Sequence, residues 1–344
     1  MIPALKVLAP GLHTTVQDLG RYGYQAMGVP VSGALDAVSL RLANRLLGNA
    51  DNAPALEILH QGPTLEVVAD SVHVALAGGD AAFQLINETV VTIQGWRSLR
   101  LRRGQVFRVG QLGRVACCYL TVGGGFVVEP CLGSRSTFVR GGLGGFEGRV
   151  LRASDLLILR ENVEERQEEF RLREPPAIGR DEAIRVVLGP QDDHFTDEAI
   201  ATLLQVEFTI SKSADRMGMR LDGPLLRHRD GYNIVSDGIA TGAIQVPGSG
   251  QAILLLADHQ TTGGYPKIAT VISADVAVVG RRRPGDSIRF KAVSVAEGER
   301  LRREQEMILE ALSAAMEPAG PRDDVDADLL YRANLISGVV SGHE

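Results

Sequence analysis

The apolar positions of the first half fall in short runs cut by turn residues: ALEILH, TLEVV, HVALAG, AFQLI, VVTI, SLRLRRGQVFRVG and RVACCYLTVGGG, all between Ala55 and Gly125. Runs of about five residues bounded by Gly, Pro or Asn read as strands, and many in series read as a closed or nearly closed β barrel. Nothing alternates a strand with a helix of about 12 residues, as a nucleotide-binding α/β sheet does. Ahead of these runs, Asp36 is placed to cap a helix through Leu47, with Gly48 at its C′ position. After them, PCLGSRSTFVRGGLGGFEGRVLRASD is too long for an ordinary turn and is a candidate site wall.

Between Asn162 and Glu182 the chain becomes densely charged and closes on Pro175 and Pro176, which predicts a domain boundary. The second half partly echoes the first: RRPGDSIRF resembles RRGQVFRV, and Thr196 can cap a short helix through Gln205. Glu297 to Met316 places Leu301, Ile308, Leu312 and Ala315 at helical spacing, an amphipathic helix expected to pack across the second barrel. Beyond the PAGPRDD linker, the apolar LLYRANLISGVV argues for a tail that docks. The expected fold is mainly β: two tandem cyclophilin-like β-barrel domains with a few short helices. Residues 1–174 form the first, with a helical insertion near 36–48; residues 175–296 form the second; 297–344 are the C-terminal helix and tail.

The chain centres on Asn233 to Ile272, where apolar passes at Ala243–Val246 and Ala252–Ala257 are followed by ADHQTTGGYPK and another apolar run. That pattern hangs a polar loop between two strands. Asp258 and His259 can move protons, and Gln260, Thr261 and Thr262 offer hydrogen bonds. Gly263 and Gly264 permit positive φ, so their N–H groups could converge on an anion or an oxyanion. Tyr265 is amphipathic and Lys267 is a compact cation in a chain with four Lys against 32 Arg. Folded back as a turn, the loop would let Asp258 and Lys267 face one cleft about 5 to 10 Å across, with Gln245 nearby. A purely structural hairpin would suit the same residues.

Other groups could join that site. In SKSADRMGMRLDGP, Asp215 could act as acid or base and Arg216 as a guanidinium clamp, or the two could be a surface pair. Arg21 and Tyr22 stand between glycines, as in a reactive loop or a merely stabilised one, and Gln245 lies in an apolar strand where a buried amide needs a partner.

Composition narrows the classes. With 44% hydrophobic residues, 344 positions can bury substantial cores, and a net charge of −6 with interspersed signs offers nucleic acid no electrostatic footprint. Cys117, Cys118 and Cys131 make no disulfide framework, and adjacent Cys117 and Cys118 should point to opposite faces of one strand. No apolar stretch approaches the roughly 18 residues of a membrane span and no signal peptide is evident, so a cytoplasmic protein is expected. A P-loop, a dinucleotide fingerprint, a G-x-S-x-G elbow and an H-E-x-x-H pair are all missing, and the scattered His argue against a metal.

GAIQVPGSGQAILLLADHQTTGGYPKIATVI, SADRMGMRLDGP and GLHTTVQDLGRYGYQAMGVPVSGALD together resemble the biotin-dependent carboxyltransferase-like family, over roughly residues 5 to 292. That family includes the KipA-like C subunits of 5-oxoprolinase, proteins called allophanate hydrolase subunit 2, and the carboxyltransferase portion of urea carboxylase. The resemblance implies one component of an ATP-dependent 5-oxoprolinase that opens the lactam to L-glutamate. Its partners would be the KipI-like B subunit and the A subunit of 5-oxoprolinase, with no nucleic acid and no membrane. ATP would act in the complex. Lys267, Arg216 and the Gly263–Gly264 amides would meet developing charge, Asp258 or Asp215 would be the base, and Arg21, Tyr22, Asp237, Gln245, His259, Gln260, Thr262 and Tyr265 would contact substrate.

The resemblance leaves other functions open. A carboxyltransferase acting on a urea-like amide would need biotin on a partner chain, since no Lys here has a Met-Lys-Met context. A non-enzymatic KipA-like antagonist of a KipI-like kinase inhibitor also fits, whereas allophanate hydrolysis lacks a nucleophile. Two departures from the family pattern stand out: Asp237 where many relatives carry Glu, and His259 where they often carry Arg. The second exchanges a permanent cation for a titratable group, which implies a different pH preference.

Overall fold

The computed structural model describes residues 3–86, 89–160, 168–177 and 182–320. Two sheets build the first half. One runs, in spatial order, Leu156–Ile158, Ala4–Ala9, Thr64–Val67, Val106–Val109, Ala82–Ile86 and Val90–Gln94; the other runs His13–Gln17, Ala55–Leu59, Cys117–Val122, Ser71–Ala77, Arg97–Arg102, Phe170–Arg171 and Glu317–Pro318. Strand alternation decides what each face does. Leu56, Ile58, Cys118 and Leu120 point into the barrel with Val16, Val74, Phe83 and Phe107, whereas Glu57, Cys117 and Tyr119 point out of it, towards the second half. The two adjacent cysteines thus lie on opposite faces, both as free thiols.

Helix α1, Ala37–Leu46, covers that outer face. Asp36 caps it by accepting from Ser39 N–H at 3.1 Å, and Gly48 at φ 70° follows its end. Leu40, Leu42, Ala43 and Leu46 are buried on one side of the helix, which packs on Cys117–Val122 and Ser71–Ala77. Burial of each of the three leucines contributes on the order of 2 kcal/mol.

In the second half an eight-stranded sheet runs Ser287–Ile288, Phe208–Ala214, Gly218–Asp222, Ile253–Leu255, Ala243–Gln245, Lys267–Val271, Ile184–Leu188 and Phe290–Ala292, with only the last pairing parallel. Helix α2, Asp197–Gln205, starts at Thr196, whose Oγ1 accepts from Ala199 N–H at 3.2 Å. Helix α3, Val276–Gly280, brings the chain against the first half: Arg281 donates to both carboxylate oxygens of Asp36 at 2.6 and 3.0 Å. One apolar cluster joins Leu35, Leu40 and Tyr119 to Ile184, Phe208, Leu254 and Ile268, so the halves share a core.

Helix α4, Val295–Ala314, forms as its periodicity predicts but does not simply cross the second barrel. It lies along α1 through Arg41–Glu306 and Arg45–Glu310 ion pairs, each 2.8 Å, while Gln305 Nε2 donates to Ala274 O at 2.7 Å on the other half. Glu317–Pro318 then pairs with Phe170–Arg171, returning the chain to the first half's sheet. The physical reason is the charge stripe: the Glu residues on α4 meet the Arg residues of α1. Among the described residues four α-helices accompany the strands, and no helix is long and apolar enough to cross a membrane. The protein is mainly β, with two tandem cyclophilin-like barrels. The tail expected to dock lies outside the described residues.

Candidate functional site

Arg216 is 5% exposed, at the seam between the halves. Its Nε and Nη2 donate to the two oxygens of Asp258 at 2.8 and 3.1 Å, Nη1 donates to Glu57 Oε1, and Nη2 also reaches Gly33 O at 2.8 Å. Glu57 Oε2 in turn accepts from Leu35 N–H at 2.9 Å and from the Tyr119 hydroxyl at 2.7 Å. Burial opposes the guanidinium charge, but the Glu57 and Asp258 carboxylates outweigh it and raise the Arg216 pKa. With its donors engaged, Arg216 is a seam clamp rather than the substrate clamp its motif suggests, and Asp258 is its partner rather than a free base. Asp215, next along the chain, turns the other way: it is exposed and pairs with Arg140 at 3.1 Å.

Lys267 does not share a cleft with Asp258. It is 2% exposed, its Nζ donates to Asp237 Oδ2 at 3.1 Å, and Gln191 bridges the pair, accepting from Lys267 N–H at 3.1 Å and donating to Asp237 Oδ2 at 3.2 Å. Lys267 first, then the Gly238 amide, holds the Asp237 carboxyl below its ordinary pKa. The anion nest expected from Gly263 and Gly264 is not formed, because neither has positive φ. Thr262–Gly263 instead pairs with Asp237–Gly238 as a two-stranded ribbon. Gly263 packs closely: a Cβ there would stand 2.5 Å from Gln245 Nε2 and 2.8 Å from Ile239 Cδ1, so those side-chain ends would have to shift.

The remaining loop residues form a hydrogen-bonded row. Gln260 Nε2 donates to Gln245 Oε1 at 3.1 Å, and Gln245 Nε2 donates to Tyr265 O at 3.3 Å, which supplies the partner a buried amide needs. His259 is fully buried, with Nδ1 at 2.6 Å from Gln260 O and Nε2 at 3.2 Å from Thr241 Oγ1. Burial lowers its pKa, so it does not stand in for the family's arginine as a cation.

Gln245, Gln260 and Tyr265 line one wall of an open cleft of about 460 Å³, whose other groups include Arg140, Lys212 and Asp215. With Arg220 also on its wall, cations outnumber the lone carboxylate, so an anionic group would be attracted there. Arg140 comes from the Gly-rich stretch expected to form a site wall. Lys212 and Arg140 are functional candidates that motif reading passed over, although Lys212 carried a signal as one of only four lysines. Of the other expected contacts, Thr262 is exposed on the ribbon and Tyr22 is exposed beside a separate cavity. Arg21 is buried, its Nε donating to Cys131 O at 2.9 Å and its Nη2 to Ser136 O at 2.8 Å, while its Nη1 has no hydrogen-bond partner among the described residues. No group of His, Cys, Asp and Glu that could hold a metal occurs among the described residues.

The chain is similar to the 5-oxoprolinase C subunit of Haemophilus influenzae, 38% identical over 300 residues, covering 87% of this chain and 94% of that protein. It is similar also to the 5-oxoprolinase C subunit of Escherichia coli, 36% identical over 309 residues, covering 90% and 97%. Among solved structures it resembles the urea amidolyase of K. lactis, with a TM-score of 0.81 and 31% identity over 91% of this chain but 20% of that one, so it spans about a fifth of that relative's length. The carboxyltransferase domain family, subdomains A and B, matches residues 27–292. The chain belongs to that family.

Proposed function

We propose that this chain is the C subunit of a multi-subunit, ATP-dependent 5-oxoprolinase that opens the 5-oxoproline lactam to L-glutamate. The observation that carries this reading is length: the chain matches two 5-oxoprolinase C subunits nearly end to end, at 94% and 97% of their lengths. Other subunits, the KipI-like B kind and the A kind, complete the enzyme. ATP is a co-substrate of the complex, for which no phosphate-binding motif is assigned to this chain.

An unactivated lactam is a poor electrophile. Transfer of the terminal phosphoryl group to the lactam oxygen breaks the P–O bond to ADP, attack by one water on the ring carbon then breaks the C–N bond to free the amine and leave an acyl phosphate, and a second water hydrolyses that acyl phosphate to the carboxylate and phosphate. Each step builds anionic charge that preorganised cations stabilise. In the open cleft Arg140 and Lys212 would meet the substrate carboxylate or that charge, and the Gln245–Gln260 pair would orient the amide. Asp215 is the carboxylate placed to take a proton, in preference to the buried Asp258.

The test is reconstitution. Purified chain, combined with its A and B partners, ATP and 5-oxoproline, should form glutamate, and leaving out any one component should abolish it. Robust turnover by the isolated chain overturns the assembly, and association without glutamate favours the KipA-like regulatory role. A second reading, carboxyl transfer to a urea-like amide, draws on the TM-score of 0.81 to urea amidolyase. Biotin would then come on a partner chain, and Arg140 and Lys212 would hold the transferred carboxyl group.

A further inference from the structure

A second cavity of about 450 Å³ is walled by α1, α4, the loop around Ser32 and Leu256–Ala257, and it shares no lining residue with the open cleft. Leu35, Leu256 and Ala257 on its wall are buried, and the exposed Tyr22 ring stands at its rim. The cations on the wall are already engaged: Arg41 pairs with Asp51 and Glu306 at 2.7 and 2.8 Å, and Arg302 pairs with Glu306 at 2.6 Å. Gln305 is engaged too, its Nε2 donating to Ala274 O at 2.7 Å and its Oε1 accepting from Arg302. Thr241 shares its hydroxyl with His259, and Ser273 faces solvent. Ser32 is different. It is 5% exposed, and its Oγ has no partner among the described residues. A buried hydroxyl without a partner is unfavourable, so a fitting occupant brings apolar carbon together with a polar group for Ser32. A polypeptide carries both.

The chain itself supplies one. Residues 321–344 follow the last described residue, and 329–340, LLYRANLISGVV, hold six aliphatic side chains and a single charge, Arg332. Their reach suffices. Met316 packs against Leu46 and Leu47 at the C-terminal end of α1, whereas Ala37 and Val38 at its other end line the cavity. The length of α1 between those ends is roughly 13 Å, and Gly320, four residues past Met316, adds at most about 14 Å. The nine steps from Gly320 to Leu329 span up to roughly 30 Å. Charge agrees with this course. At the exit Glu317 pairs with both Arg171 and Arg173, at 3.0 and 2.9 Å, so two guanidiniums face one carboxylate where the acidic DDVDAD begins soon after. Other recesses suit an apolar stretch less well, since one of about 200 Å³ beside α4 is lined by Glu182, Arg185, Asp275 and Glu304, and the open cleft carries its own cations.

We propose that residues 329–340 of this chain dock in the cavity beside α1, with aliphatic side chains against Leu35, Leu256 and Ala257 and a backbone carbonyl accepting from the Ser32 hydroxyl. An apolar cavity of about 150 Å³ holds one benzene-sized group, so two or three side chains fill this one. A tethered segment meets its site at an effective concentration in the millimolar range, which favours it over a second copy in dilute solution. The wall is drawn from both halves of the protein, Leu35 and Val38 from the first and Leu256 and Val276 from the second, so docking also fastens the halves together while leaving the open cleft free.

Nitrogen-15 NMR tests this on the full-length chain and on a chain ending at Gly320. Losing the tail should displace the Ser32, Val38 and Ala257 amides, and a peptide of residues 326–342 added to the shortened chain should return them saturably. In the full-length chain, Leu330→Asp combined with Leu335→Asp alters no described residue and should reproduce the shortened chain's shifts. Ala34→Leu, which fills the cavity, should abolish the response to the peptide; should that variant fail to fold, the tail variants decide. The same three amide positions in full-length and shortened chains overturn the proposal, as does an Asp double variant indistinguishable from wild type. A tethered contact is independent of protein concentration, so shifts that fade on roughly tenfold dilution would put a second copy in the cavity and overturn it as well. None of these results bears on the oxoprolinase reading, because the assay contains no partner, no ATP and no turnover.

Discussion

Arg216 of the second barrel donates to Glu57 of the first, and both side chains are buried. A buried ion pair gains little net stability over an apolar packing, but removing one partner leaves uncompensated charge. Arg216→Ala strands two carboxylates, Glu57 and Asp258. Its unfolding free energy should fall by about 3–5 kcal/mol, measured by urea denaturation. A loss below about 1 kcal/mol, in the range of an exposed pair, would show that the seam is hydrated and the clamp dispensable.

Lys267 is subject to the same logic with a different outcome, because its partner Asp237 keeps its side chain 52% exposed. Lys267→Ala removes a buried four-carbon stem and should cost about 1–3 kcal/mol, unlike a surface lysine. Lys267→Met keeps the stem and should melt close to wild type. The pair also sets a pH limb. The folded Asp237 pKa is depressed, so its stabilisation is present above the unfolded value near about 4 and is lost as pH falls through the lower folded value. In Lys267→Met that acid limb should flatten. An unchanged limb would show that Asp237 owes its shift to the Gly238 amide.

What could be read from residues alone was local. Asp36 and Thr196 announce helix starts because a cap is satisfied within three residues, and Cys117–Cys118 divides between two cores because strand side chains alternate. Arg216 reads as a ligand clamp until Glu57, 159 residues away, is seen to occupy it. The glycines at 263 and 264 permit positive φ, yet the fold uses the first for clearance around Gln245. The course of α4 was illegible because its amphipathic pattern says that one face is buried and not against what. Lys212 was masked because no local pattern distinguishes a cleft-facing strand position from a solvated one.

In the open cleft the exposed cations can be removed without breaking a core. Lys212→Met and Arg140→Gln should each leave stability within about 0.5 kcal/mol. In the reconstituted complex each should lower kcat/KM for 5-oxoproline by roughly tenfold or more, the scale of a lost charge-stabilising group. Wild-type kcat/KM in both, with glutamate still formed, would move the chemistry out of this cleft and onto a partner chain.

His259 gives the last test, and it separates a buried structural ring from a titrating site residue. Desolvation by burial lowers its pKa below the ordinary 6.5, against the weaker opposing effects of the Gln260 carbonyl and Asp258. The unfolded chain therefore takes up a proton near pH 6.5 while the folded chain resists until lower pH. Between those two values the unfolded state binds more protons, so stability is full above about 6.5 and declines as pH falls towards the folded value. His13 and His60 are shifted in the same direction, chiefly by burial, and add to this slope. Nitrogen-15 NMR of the ring at pH 7 should show a neutral imidazole protonated at Nδ1, with no titration until below pH 6.5. His259→Gln should reduce the loss of stability between pH 6.5 and 5 while leaving the remainder due to the other two. An imidazolium at pH 7, or an unaltered slope in His259→Gln, would mean that the ring is solvated and available to an anionic ligand, as the arginine of its relatives would be.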